Sequence, residues 1–88
     1  MVTNSTLNAW FRLEVLPREP VLTRFIGRHW RSSDEVLDIR QDVYERALLG
    51  ASRALPDLPG PYIFTVARNV MINRGRRAKI VMIDLVAE

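Results

Sequence analysis

Apolar positions along the chain recur three and four residues apart, the period of a helix with one buried side. Leu7, Trp10, Phe11 and Val15 predict a first helix over residues 6–16, with Pro17 as its stop. A second is expected to begin near Pro20, a residue tolerated in a first turn, and to carry Val21, Leu22, Phe25, Ile26 and Trp30 on its apolar side. The stretch SSDE follows. Ser32 with Glu35 three residues on has the form of a capping box, and so predicts a helix over residues 33–49 with Val36, Leu37, Ile39, Val43, Tyr44, Ala47 and Leu48 as its stripe and Gly50 as its stop. ASRALPDLPGP, residues 51–61, holds three prolines and a glycine, which predicts a constrained loop with at most one helical turn. A last helix is expected over residues 61–77. Its core side is Ile63, Val66, Ala67, Val70, Met71 and Arg74, and its other side Thr65, Arg68, Asn69, Ile72, Asn73 and Arg76. The apolar KIVMIDLV, residues 79–86, is open between strand, short helix and linker, and is expected to cover something or to lead into a further segment.

About four helices joined by short connections predict a compact all-α bundle over residues 1–80, with 81–88 as a tail. The length of 88 residues suits one small domain. Both tryptophans and Phe11, Phe25 and Phe64 fall on apolar stripes and are expected in the core. With no cysteine there is neither a disulfide framework nor a thiolate metal site. The first residues lack a basic segment followed by an apolar one, and nowhere do about 18 apolar residues run together, so a cytoplasmic protein without membrane insertion is expected.

Enzyme chemistry finds no footing in the motifs. There is no glycine-rich phosphate loop, no HExxH and no GxSxG, and the acidic residues have no accompanying histidine. His29, the sole histidine, reads as a packing or capping residue beside an aromatic. Asp38 and Asp42 stand one turn apart, but paired acids on a helix face are ordinary. No catalytic residue, metal or cofactor is assigned.

Charge changes the picture more. Residues 34–45 hold five acids against Arg40 alone, whereas residues 62–79 hold five bases and no acid. Such a distribution gives two faces of opposite sign. On the last helix Asn69 and Asn73 stack one turn apart among arginines. Arginine grips phosphate through a charge-assisted fork, and asparagine can pair with a base edge at two points, so this face has the chemistry to position and to read DNA. The bland alternative is a solvated face whose terminal cations complement the helix dipole. Ile72, on the same face, favours an interface.

DIRQDVYERAL, residues 38–48, then a proline-rich loop and PYIFTVARNVMINRGRR, residues 61–77, resemble region 2 of bacterial sigma factors of the sigma-70 family. The likeness is to the extracytoplasmic-function (ECF) group, and within it to the ferric-citrate-type iron-uptake branch. It is strongest over residues 34–79.

That resemblance implies a task for each face. The helix of residues 38–48 would dock on the clamp coiled coil of the largest catalytic subunit of core RNA polymerase, with Asp38, Gln41, Asp42 and Glu45 as contacts. The last helix and the loop before it would recognise and open the promoter minus-ten element by capturing bases of the non-template strand. Arg68, Asn69, Asn73, Arg76, Arg77 and Lys79 would be the DNA-binding residues, and Tyr62 would stack on a base or cap the core. Arg40 departs from the family pattern, where an aliphatic residue is usual. The family's helix-turn-helix for the minus-thirty-five element would follow residues 81–88, read as a linker. Two rival readings stay open: a module that only binds protein, such as an anti-sigma factor, and a helical domain that binds nucleic acid by charge alone.

Overall fold

The computed structural model describes residues 1–78, and every regular element among them is helical. In chain order these are α1 (Asn4–Trp10), a π-helical turn (Phe11–Val15), a 3₁₀ turn (Leu16–Arg18), α2 (Glu19–Gly27), α3 (Ser33–Ala51) and α4 (Pro59–Arg77). The all-α fold class holds, but the count of about four separate helices is corrected. Residues 4–27 form one uninterrupted helical run, so three helical rods pack together. Pro17 does not stop the first helix. Its missing N–H and bulky ring forbid regular α geometry, and the chain passes it by widening and then tightening. The N–H of Leu16 reaches back five residues to the carbonyl of Phe11, and that of Glu19 reaches three to Leu16. The wider turn also lets Trp10 and Val15, five residues apart, both enter the core.

Helix starts follow local chemistry. The hydroxyl of Ser32 accepts the N–H of Glu35 at 3.4 Å, the serine half of the capping box that SSDE predicts, and Thr3 does the same for Thr6 at 3.3 Å. α4 begins at Pro59, earlier than expected, because a proline suits the first turn of a helix. α3 runs through Gly50 to Ala51. Gly50 is there for closeness: the Tyr62 hydroxyl of α4 occupies the place a Cβ would take.

One core joins the three rods. Trp10, Leu22 and Ile26 from the first meet Ile39, Val43 and Ala47 of α3 and Ile63, Ala67 and Met71 of α4, all at most 7% exposed. Trp30 is also buried, while Phe11, Phe25 and Phe64 pack against the cluster from its edge. His29 lies edge-on to Phe25 at 5.9 Å, and Phe25 to Phe64 at 5.4 Å, so aromatic contacts run from α2 to α4. Val21 and Leu37, expected inside, are each 49% exposed, and Ile72, expected outside, packs against the core. Periodicity finds a stripe, but neighbours decide where its edges fall. Lys79 and the KIVMIDLV segment lie outside the described residues.

A polar clasp fixes α2 to α3. The Glu19 carboxylate accepts the Tyr44 hydroxyl at 2.8 Å and pairs with Arg40 at 3.2 Å, and Arg40 also donates to the Thr23 hydroxyl at 3.0 Å. Burial, then the hydrogen bond and charge of Glu19, push the Tyr44 phenol well above its ordinary pKa. Arg40 is thereby occupied with α2.

Candidate nucleic-acid and protein interfaces

Packing the apolar side of α4 on the core leaves Thr65, Asn69, Asn73, Arg76 and Arg77 exposed along its other side. No acid interrupts this stripe. Successive members three and four residues apart share one face, so the two asparagine amides and the terminal guanidiniums fall in line. Arg68 is half-buried beside the stripe. Tyr62 is placed differently. Its hydroxyl donates to the Ala47 carbonyl at 2.8 Å and its ring stands edge-on to Trp10 at 6.2 Å, a brace between α4, α3 and the first rod. Burial raises its phenol pKa.

The expected contacts on α3 separate by depth. Asp38, Gln41 and Glu45 are exposed, with Gln41 donating to Glu45 at 3.1 Å across one turn. Exposed Leu37 and Leu49 lie toward the two ends of this surface and add apolar area that its polar residues did not foretell. Asp42 is turned toward α4, its side chain 25% exposed, between Arg46 at 3.2 Å and Arg74 at 3.9 Å. Arg74 also binds Asp38 at 2.9 Å. The acidic and basic faces thus meet through Arg74, an ion pair no local pattern could reveal because its partners are 36 residues apart.

Two other cations escaped sequence reasoning. Arg46, fourth in the turn after Asp42, joins Asn73, Arg76 and Arg77 around one cleft between α3 and α4. Arg18 lies over Gly60 in the first turn of α4, next to the loop of residues 52–58, whose Leu58 is 66% exposed. Neither belongs to the basic segment, so counting charge along the chain passes over them. Among the described residues, no three acidic or histidine side chains gather as a metal set, and no helix is long and apolar enough to cross a membrane.

The family model described as Sigma-70 region 2 matches residues 16–80. The chain belongs to the sigma-70 region 2 family. No curated protein and no solved structure gives a significant match. The matched span takes in α2, α3, α4 and the loop between the last two, so both charged stripes of this region 2 domain lie inside it, whereas α1 precedes it. Sigma-70 region 2 is a domain of transcription factors that act in promoter recognition, and not an enzyme family.

Proposed function

We propose that this sigma-factor domain docks on the clamp coiled coil of core RNA polymerase through α3 and recognises and melts the promoter minus-ten element through α4 and the loop before it. The observation that carries the reading is the pair of separate exposed stripes. One, on α3, presents Asp38, Gln41 and Glu45; the other, on α4, presents amides and guanidiniums without an acid.

A basic coiled coil complements the α3 surface, and such charge matching steers encounter and fixes register. Leu37 and Leu49 add the desolvated contact that charge alone does not give. Asp42, set back between two arginines, acts on that surface by fixing its neighbours.

On α4, Asn69 and Asn73 pair with base edges while Arg68, Arg76 and Arg77 hold phosphates. Lys79 extends the same basic run in the sequence. In this reading Leu55 and Leu58, exposed in the preceding loop, wedge beside an unstacked base. Opening then draws on the binding energy of the separated strand, and no nucleotide hydrolysis enters. With its ring and hydroxyl engaged inside, Tyr62 shapes the loop's exit into α4. The paired motifs DIRQDVYERAL and PYIFTVARNVMINRGRR support the ECF group, with the ferric-citrate-type branch as its subdivision.

Selection of a randomised single-stranded DNA library on the chain tests the reading. Enrichment of a defined motif, lost in Asn69→Ala, supports base capture. Binding without any motif and with a steep salt dependence favours the charge-only rival.

A further inference from the structure

Arg46 of α3 and Asn73, Arg76 and Arg77 of α4 line one cleft of about 380 Å³. Its lining holds three guanidiniums and one amide, with no carboxylate among them. Asp42 stands behind, taking the Nε of Arg46 at 3.2 Å. That contact fixes the stem of Arg46 and leaves its terminal nitrogens, on a side chain 54% exposed, to donate elsewhere.

We infer that this cleft seats a backbone phosphate of the bound DNA strand, and that Arg46 makes α3 a second DNA-binding element. The inference rests on the reading of α4 as the DNA-binding helix. Converging guanidiniums repel one another, and one carboxylate offsets one of them; an anion in the cleft removes the rest of the repulsion. Arginine's planar fork matches phosphate oxygens two at a time. A nucleic-acid strand, and not a free anion, is the occupant because the cleft continues the α4 stripe. Asn73, Arg76 and Arg77 belong to both, so a strand whose bases meet Asn69 and Asn73 carries its backbone toward Arg46. α3 then works on two sides, with Gln41 and Glu45 toward protein and Arg46 toward DNA.

The test is fluorescence anisotropy of a labelled oligothymidine against the whole 88-residue chain, across a range of KCl concentrations. Arg46→Gln is expected to weaken binding about tenfold, the loss of a charge-assisted hydrogen bond. It should also lower the slope of log K against log salt by about 0.7, one phosphate contact on a single strand. Arg46→Lys keeps the slope and loses part of the affinity. Arg12→Gln removes an equal charge from an exposed site on the first rod and should leave the slope unchanged. If Arg46→Gln behaves like Arg12→Gln while Arg76→Gln with Arg77→Gln weakens binding, the cleft proposal falls and the α4 reading stands. If no variant matters, or the chain binds no strand, both fall. Displacement of the strand by inorganic phosphate at constant ionic strength would make free phosphate the ligand and overturn the assignment to DNA.

Discussion

A Cβ on Gly50 would collide with the hydroxyl oxygen of Tyr62 while standing 3.5 Å from its Cζ, an ordinary contact. Gly50 lies inside α3, where alanine is intrinsically better by about 1 kcal/mol. The collision reverses that preference. Gly50→Ala is expected to destabilise by about 1–3 kcal/mol, the range for overpacking. In a Tyr62→Phe background the obstructing oxygen is gone, and the same change should become neutral or stabilising. Urea denaturation of the two single variants and the double variant measures the coupling, and additive effects would refute this account of the glycine.

Alkaline pH should weaken the fold through Tyr44. Its phenol is raised above the ordinary 10.0 first by burial and then by Glu19, and Tyr62 is raised in the same direction by burial. A raised pKa in the fold means that the protonated form is the one stabilised. The contribution is complete below about pH 10 and is lost as pH climbs past it toward the folded-state pKa. Unfolding free energy measured at pH 8 and at pH 11 should therefore fall in the parent chain and fall less in Tyr44→Phe. An equal fall in both would place the alkaline sensitivity elsewhere.

Much of this was legible locally. Ser32 and Glu35 announced the start of α3, and the spacing of Ile63, Ala67, Val70 and Met71 gave the buried side of α4. What was not legible depended on partners distant in sequence. Pro17 reads as a stop because local rules do not show that a π turn followed by a 3₁₀ turn can carry a helix past it. Gly50 reads as a cap because Tyr62 is absent from its neighbourhood in the chain. The candidate site divides the same way: Asn69 and Asn73 emerge from one helix's projection, whereas Arg46 joins the cleft only once α3 lies beside α4.

Depth on α3 separates two kinds of variant. Gln41 and Glu45 are exposed and hydrogen-bond each other, so Gln41→Ala with Glu45→Ala should leave the melting temperature near that of the parent while weakening capture of the polymerase clamp coiled coil. Asp42→Ala removes the carboxylate between Arg46 and Arg74, and should lower stability as well as binding. Unchanged capture by the exposed pair would sink the docking assignment.

Base reading and phosphate holding should separate by their dependence on sequence and salt. Asn69→Ala is expected to narrow the difference in affinity between the selected strand and its scramble, each lost bidentate contact contributing about 1–3 kcal/mol of discrimination. Arg76→Ala with Arg77→Ala should weaken both strands alike and flatten the salt slope. Equal loss on both strands in Asn69→Ala would instead leave α4 as a charged surface without base specificity.

Arg74 links the acidic face of α3 to the basic face of α4, and its energetic role follows from how deeply it sits. Its side chain is 25% exposed, its terminal nitrogen reaches Asp38 at 2.9 Å and Asp42 at 3.9 Å, and its Nε is buried without a hydrogen-bond partner. The Asp38 side chain is 68% exposed, so water and salt screen that pair and it contributes about 1 kcal/mol at most. The desolvated Nε offsets part of the gain. Arg74→Met keeps the stem that packs between α3 and α4 while removing both effects. It should cost no more than about 1 kcal/mol in urea denaturation, and less in high salt. The larger consequence is electrostatic. Without Arg74 the Asp38 and Asp42 carboxylates lose their neutralising partner on α4, so attraction of a basic coiled coil to α3 should rise while affinity for DNA falls. A surface-plasmon measurement of both on-rates at low and high salt decides it, since a merely structural Arg74 would depress the two together.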